Sequence, residues 1–352
     1  MLGFFTPQKN PPYDRDVGWV QLAAELSNPT TSEHEMKTNS RFENYTALIR
    51  LGKPIGSLLI LWPVLSALLI ASHGHPSAAN IFIFTCGVFL VRSAGCILND
   101  IADRKIDKHV ARTKLRPITS GKISIRNAII FCGILLAAAF FLVLLTNEKT
   151  IFLSFVALAL AAIYPLMKRF THLPQVWLGF TFNWGVLMAF TATSNTIPAV
   201  AWWLYLSTIF STIAYDTFYG MVDRKDDLKI GVKSTAILFG KKDRLITFVF
   251  QILSLGILWM IGAYAHFNAW FYLGLLAALL LITYQQILIR NREPEACFKA
   301  FLNNNYLWAF VFFWLSIELF KITKRRFFFC AQALSLPLIF SILTPKIDGV
   351  CI

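Results

Sequence analysis

The chain has 352 residues, of which 56% are hydrophobic and only 15% are charged. Soluble domains carry about a quarter charged residues, so the composition favours an integral membrane protein. The net charge of +14 does not indicate a nucleic-acid partner, because the Lys and Arg residues lie in clusters between apolar runs and no nucleic-acid-binding motif accompanies them.

The amino-terminal segment, residues 1–40, is polar and contains five acidic side chains. Transit peptides are poor in acidic residues and signal peptides have an apolar core, so the segment matches neither. We expect it to be a disordered extension. The absence of a transit-peptide pattern favours a bacterial inner membrane over a mitochondrial one.

Nine apolar runs follow, each of a length suited to a membrane span. A helix needs roughly 17–25 apolar residues to cross a bilayer. Runs of this kind lie near residues 55–72, 80–98, 128–146, 149–167, 176–193, 197–215, 245–265, 268–289 and 302–320. A weaker tenth run lies at 327–343, and the sequence leaves open whether it is a further span. Residues 323–352 are therefore a tail with no assigned role.

The loops between these runs alternate in charge. Residues 99–127 contain eight Lys or Arg and residues 217–244 contain seven, whereas the loop HGHPSAA contains none. Basic loops face the cytoplasm, so the alternation predicts a multi-pass protein with a cytoplasmic amino terminus.

The two basic loops contain similar acidic segments. The first aspartate block, residues 99–107, reads NDIADRKID, and the second, residues 223–227, reads DRKDD. Each follows an apolar run and precedes a Gly-Lys pair, which indicates an internal duplication. Helical residues four apart share a face, so each block presents two carboxylates in one direction.

Two such pairs facing each other would form an oxygen-rich site for a hard cation. Mg²⁺ favours a few carboxylates together with waters and phosphate oxygens. Basic residues that follow the blocks could bind further phosphate oxygens; they are Arg112, Lys114, Arg116 and Lys233. One block alone would indicate surface ion pairs, but two blocks with trailing cations favour a metal–diphosphate site.

Two further clusters lie at the ends of apolar runs. Arg92 lies inside a run, where a charge costs several kcal/mol unless it faces protein or water. It precedes Asn99 by two helical turns, and a fixed cation there would suit a substrate carboxylate. Tyr164 and Lys168, one turn apart, either line the same cavity or anchor the chain at the membrane interface.

Taken together, these motifs resemble those of the UbiA superfamily of intramembrane prenyltransferases. Its NDxxDxxxD, DxxxD and YxxxK elements occur here as the first block, the second block and Tyr164 to Lys168. The stretches LIRLGKPIGSLLILWP, AIYPLMKRFTHLPQ and YDTFYGMVDRKDDLKIGVKSTAILFG look like the branch that prenylates 4-hydroxybenzoate. The resemblance covers about residues 41–320.

The resemblance implies an all-α membrane domain over residues 41–322, with nine transmembrane helices around a central cavity. A cytoplasmic cap would carry the two Asp-rich motifs. The implied reaction transfers a polyprenyl group from polyprenyl diphosphate to 4-hydroxybenzoate, with Mg²⁺ as cofactor, in contact with membrane lipid and with no nucleic acid.

The expected site combines this resemblance with the residue arguments above. Mg²⁺ would be held, through the diphosphate, by Asp100, Asp103, Asp107, Asp223 and Asp227. The diphosphate would be bound by Arg112, Arg116, Lys168 and Lys233. The aromatic acceptor would be bound by Arg92, Asn99 and Tyr164.

Three alternatives remain open on the sequence. A secondary transporter would also have internal repeats and an intramembrane charge, but here the acidic groups cluster at one membrane face. A different acceptor, such as haem, a chlorophyll precursor or dihydroxynaphthoate, would keep the same motifs. A non-enzymatic scaffold would leave the paired aspartates unexplained.

Overall fold

The structure is a computed structural model that describes residues 41–108 and 113–343, without the side chains of Lys168 and of residues 321–343. The expected extension at 1–40, the predicted ligand Arg112 and the end of the tail lie outside the described residues. The chain divides into two compact units after Tyr45, and the account below concerns the second, Thr46–Ile352.

The described residues are helical and contain no β-strand. In chain order the helices are α1 (Arg41–Leu48), α2 (Ile55–Ala71), α3 (Ala78–Asp107), α4 (Ile125–Leu144), α5 (Glu148–Phe170), α6 (Pro174–Ser194), α7 (Ala199–Ile230), α8 (Thr235–Phe239), α9 (Asp243–Tyr264), α10 (Ala269–Leu288) and α11 (Pro294–Leu343). Short 3₁₀ turns at Gly240–Lys242 and Ile289–Asn291 precede α9 and follow α10. Each of the nine predicted apolar runs lies in a separate long helix, so the all-α prediction is confirmed.

Six segments of the described chain are long and apolar enough to cross a membrane. They are Ala78–Asp107, Ile125–Leu144, Glu148–Met167, Pro174–Ser194, Thr235–Tyr264 and Ala269–Asn291. The helix α2 is apolar but has only 17 residues, and neither α7 nor α11 is among the six. A multi-pass membrane protein is therefore supported, while the count of nine spans stays a prediction.

Both aspartate blocks continue a long helix beyond its apolar part. The first block forms the last turns of α3, and the second lies near the end of α7. Gly231 ends α7 with φ of 73°, the left-handed conformation that glycine adopts without steric cost. The assumption of helical spacing within each block is therefore correct, and the carboxylates four residues apart share a face.

The apolar core lies between the helices that surround α7. This helix packs against α6, α9 and α11, while α3 packs mainly against α4 and α2. Trp308 is buried in this core, and its indole N–H donates to Ser211 Oγ at 2.9 Å. Many large apolar side chains face outward, as expected where lipid rather than water surrounds a helix bundle.

Candidate active site

The three aspartates of the first block are buried at the end of α3. Asp100 is 1% exposed, Asp103 7% and Asp107 6%. Burying a charge is costly unless it is paired and hydrogen-bonded, so a solvated surface cap does not describe this block. The alternative that these three aspartates are exposed surface charges is therefore wrong.

Arg116 reaches back from the following loop to pair with two of these carboxylates. Its Nη1 lies 3.0 Å from Asp100 Oδ1 and 2.7 Å from Asp107 Oδ2. The Thr113 hydroxyl donates to the Asp107 backbone carbonyl at 3.1 Å and folds the same loop against the end of α3. Arg116 was predicted to bind diphosphate; the structure pairs it with the first block, and the contact with diphosphate stays a prediction.

A second arginine, which the sequence did not indicate, joins the first block. Arg50 lies in the turn after α1, and its Nη2 is 2.7 Å from Asp100 Oδ1. The stretch LIRLGKPIG that contains it was recognised only as part of the resemblance. Asp100 is therefore held between two arginines.

The second block has a different environment. Asp223 and Asp227 are half-buried near the end of α7. Lys233 follows them, but its Nζ lies 3.5 Å from the Phe170 carbonyl at the end of α5. Lys233 thus lies beside α5, the helix that carries Tyr164. The predicted contact of Lys233 with diphosphate stays a prediction.

On the acceptor side, the structure brings Arg92 and Tyr164 together around one ring. Arg92 Cζ lies 5.4 Å from the centroid of the Phe182 ring, and the Tyr164 ring lies 6.4 Å from that centroid. Phe182, on α6, carried no motif and was not predicted. The cluster joins α3, α5 and α6, and the role predicted for Tyr164 stays a prediction.

Two polar atoms on α3, one in this cluster and one seven residues later, are among the buried side-chain atoms without a hydrogen-bond partner in the described part of the chain. They are Arg92 Nε and Asn99 Oδ1. The other end of the Arg92 guanidinium is occupied, because Nη1 donates to Cys96 Sγ at 2.7 Å. Buried polar groups are nearly always satisfied, so this donor and this acceptor are each open to a further partner.

A glycine in α2 makes room for Arg92. A Cβ added at Gly56 would lie 2.8 Å from Arg92 Nη2 and 2.9 Å from Arg92 Nε. Contacts this short require the guanidinium to move. Gly56 therefore allows the arginine to lie directly against the α2 backbone.

Helix α7 supplies further polar groups near this cluster. The Tyr215 hydroxyl accepts from Thr212 Oγ1 at 3.1 Å and interacts electrostatically with Arg92, Tyr164 and Asp216. Tyr215 and Asp216 lie within YDTFYGMVDRKDD, where the sequence argument used only the later aspartates. The approach of α7 to Arg92 was not predictable from spacing along the chain.

The carboxylates fit a magnesium ion that is bound together with a phosphate substrate. Across residues 41–108 and 113–343, no three His, Cys, Asp or Glu side chains are grouped to hold a metal by themselves. Mg²⁺ commonly uses one or two carboxylates and takes its remaining ligands from water and substrate phosphate. Buried carboxylates with nearby arginines match that donor set better than an all-protein cage.

The chain belongs to the UbiA prenyltransferase family, which it matches over residues 60–317. It is 52% identical over 279 residues to the 4-hydroxybenzoate octaprenyltransferase of Hahella chejuensis, covering 79% of this chain and 93% of that protein. It is 51% identical over 272 residues to the 4-hydroxybenzoate octaprenyltransferase of Coxiella burnetii, covering 76% and 94%. The resemblance drawn from the sequence is confirmed.

Solved structures show the same fold. A UbiA homolog from Aeropyrum pernix K1 aligns with a TM-score of 0.67 at 21% identity, covering 75% of this chain and 98% of that one. A UbiA homolog from Archaeoglobus fulgidus bound to GPP and Mg²⁺ aligns with a TM-score of 0.57 at 17% identity, covering 78% and 99%. The chain is thus a multi-pass membrane protein with the UbiA fold.

Proposed function

We propose that this protein transfers a polyprenyl group from polyprenyl diphosphate to the ring carbon of 4-hydroxybenzoate ortho to the hydroxyl, releasing diphosphate. The observation that carries the proposal is the arrangement along α3. An open cationic donor, Arg92 Nε, lies on the same helix as three buried carboxylates. The names of the relatives that are about 51% identical agree with both substrates.

Arg92 binds the acceptor carboxylate. Its Nε is the unpaired donor, and an arginine fork suits a carboxylate. Because an α-helix rises about 1.5 Å per residue, Arg92 lies about 10 Å deeper along α3 than Asn99. This offset leaves room for an aromatic ring between the carboxylate site and the aspartate blocks, with Tyr164 and Asn99 beside it.

The two aspartate blocks and the basic residues hold the diphosphate. Mg²⁺, when bound, neutralises the departing diphosphate. Asp100, Asp103 and Asp107 provide carboxylates from α3, and Asp223 and Asp227 provide them from α7. The phosphate oxygens are bound by Arg112, Arg116, Lys168 and Lys233.

The reaction breaks the allylic C–O bond, whose electron pair leaves with the diphosphate oxygen. The ring carbon ortho to the hydroxyl forms the new C–C bond, and its proton then leaves to restore aromaticity. Preorganised cations at the developing charge stabilise this transition state. The apolar helix walls exclude water, which would otherwise capture the allylic cation.

We place the basic loops and the amino terminus in the cytoplasm, because basic loops face that side, and we place the nine spans in a bacterial inner membrane. Residues 41–322 form the prenyltransferase domain, its cap carrying the two blocks, and residues 1–40 and 323–352 have no assigned role. The long prenyl chain then lies in the bilayer while its charged end reaches the cytoplasmic surface.

Prenylation of radiolabelled 4-hydroxybenzoate by purified protein in detergent tests the proposal. We expect a lipid-soluble labelled product with geranyl or longer diphosphates and Mg²⁺, and none after addition of EDTA. Detergent removes the compartments that a transporter would need, so product formation also separates an enzyme from a transporter. Folded protein that prenylates a different aromatic acceptor but not 4-hydroxybenzoate would contradict the proposed acceptor.

A further inference from the structure

Asp243 is a fully buried carboxylate behind the second aspartate block, and the reaction proposed above does not use it. It is 0% exposed and is the first residue of α9. Arg224 Nη2 donates to its Oδ2, and the backbone N–H of Arg244 donates to its Oδ1 at 2.6 Å. No motif recognised in the sequence included Asp243.

Arg292 completes this cluster from a third element. Its Nε lies 3.0 Å from both Asp243 oxygens, and its Nη2 lies 2.8 Å from Oδ1. The hydrogen bonds to Asp243 raise the pKa of Arg292, because they stabilise its charged form. Arg292 has φ of 58°, a left-handed conformation that non-glycine residues seldom adopt. Asp243 therefore ties the end of α7 to the start of α9 and to the turn after α10.

Arg224 connects this cluster to the face of α7 that carries Asp223 and Asp227. It lies between the two carboxylates of the second block, in the sequence Asp223-Arg224-Lys225-Asp226-Asp227. With about 100° of rotation per residue, Asp223 and Asp227 lie about 40° apart around the helix axis. Arg224 lies about 60–100° away from them on the adjacent face. Holding Arg224 against Asp243 thus restrains the rotation of the α7 end, on which the direction of both carboxylates depends.

We infer that Arg224 and Asp243 are positioning residues that fix the rotation of the α7 end and so aim Asp223 and Asp227 at the metal. The inference rests on the proposed function, because it assumes that these two carboxylates hold the cation. Partners that hydrogen-bond directly to a metal ligand are typically worth 10–100-fold in metal affinity, and an indirect partner is expected at the lower end, about tenfold. Arg224 acts here through the helix backbone rather than through a bond to the carboxylates.

A purely structural ion pair would behave differently. Its loss would lower the amount or the thermal stability of folded protein and leave the affinity of the remaining folded molecules for metal unchanged. Loss of a positioning contact weakens metal binding in molecules that are still folded. The acceptor side, on α3, α5 and α6, meets α7 at Tyr215, nine residues and about 14 Å before Arg224 along the helix, so it should be unaffected in either case.

The test compares Arg224→Gln, Arg224→Lys and Asp243→Asn with the wild type. The matched control is Lys229→Gln, which removes an exposed cation from the same helix end, 3.4 Å from Asp226. Binding of Mn²⁺ in the presence of inorganic pyrophosphate is followed by electron paramagnetic resonance, with Mn²⁺ standing in for Mg²⁺ at an oxygen site. The KM for 4-hydroxybenzoate is measured on the same preparations.

We expect Arg224→Gln and Asp243→Asn to weaken Mn²⁺ binding by about tenfold or more. Arg224→Lys keeps a cation but loses the fork, so its affinity should lie between those of the wild type and Arg224→Gln. Lys229→Gln should match the wild type, and the KM for 4-hydroxybenzoate should be unchanged throughout.

Wild-type Mn²⁺ affinity in folded Arg224→Gln would overturn the inference. If Arg224→Gln does not fold, Arg224→Lys decides the matter, since an unchanged affinity there would also overturn it. A wild type that binds Mn²⁺ with pyrophosphate but prenylates no 4-hydroxybenzoate would contradict the proposed function and not this inference. A wild type that prenylates normally while every variant binds Mn²⁺ normally would contradict only the inference.

Discussion

The two aspartate blocks share their letters and their place at a helix end, but their arginines do different things. In the first block, Arg116 and Arg50 come from outside the helix and pair with its carboxylates. In the second block, Arg224 belongs to the motif itself and pairs with Asp243, away from the motif carboxylates. Carboxylates of the first block pair with arginines from outside α3, whereas the arginine of the second block pairs with a carboxylate outside α7.

This difference shows how two similar motifs can differ in the packing around them. Within the described part of the chain, Arg104, the counterpart of Arg224, donates only to the Ile101 carbonyl of its own helix at 2.8 Å. The buried first block needs paired cations, because burial of unpaired carboxylates is costly. The second block is only half-buried, and its arginine pairs with Asp243 instead.

The largest effect is expected from removing a carboxylate of either block. Asp107→Asn and Asp223→Asn should each lower Mg²⁺-dependent turnover about 100-fold or more, as is typical when a group that stabilises developing charge is lost. Asp107→Asn should also lower Tm, because it takes a partner from Arg116. Turnover is measured with labelled 4-hydroxybenzoate, and full activity in either variant would contradict the shared role of the blocks.

Arg116→Gln should have the next largest effect and should distinguish the role of the arginine in the first block from that in the second. The substitution leaves Asp107 buried without its arginine. We expect the free energy of unfolding to fall by about 3 kcal/mol, which is the lower end of the range for buried pairs, because the Arg116 side chain is 20% exposed. We expect a lower Tm and a higher KM for the prenyl diphosphate. Arg224→Gln is the matched variant in the second block, and identical Tm and KM changes in the two would remove the distinction drawn here.

Gly56→Ala tests the acceptor side through Arg92, which lies on α3, the helix that carries the first block and not the second. The added methyl displaces the Arg92 guanidinium, so the KM for 4-hydroxybenzoate should rise about tenfold, the loss of roughly 1.4 kcal/mol of binding. Alanine is the better helix former, so stability should not fall. Gly52→Ala is the control, because nothing lies within 4 Å of a Cβ there. An equal rise in the KM for 4-hydroxybenzoate in both variants would show that the effect does not come from displacement of Arg92.

Arg104→Gln should give the smallest effect. Its hydrogen bond to a carbonyl of the same helix holds no other element, so Mn²⁺ affinity in the presence of pyrophosphate should stay within about twofold of the wild type, or about 0.4 kcal/mol. A tenfold loss, equal to that expected for Arg224→Gln, would show that the two blocks use their arginines alike.

Much of the site was predictable because it depends on local spacing. Carboxylates four residues apart share a helical face wherever a helix forms, and both blocks are helical. The spacing of Arg92 and Asn99 likewise places both on one side of α3, where each has an open polar atom. Phe182, Arg50 and Asp243 were not predictable, because each belongs to an element distant in sequence from the group it contacts.

The sequence by itself determined the helical class, the apolar runs and the family, since each of these depends on composition, periodicity and short motifs. Only the tertiary structure decided which partner each arginine takes. A guanidinium on a long flexible side chain can reach any carboxylate on a neighbouring element, so the choice depends on helix packing. Arg104 and Arg224 hold the same place in the two blocks, and packing alone leaves Arg104 on a carbonyl of its own helix and directs Arg224 to Asp243.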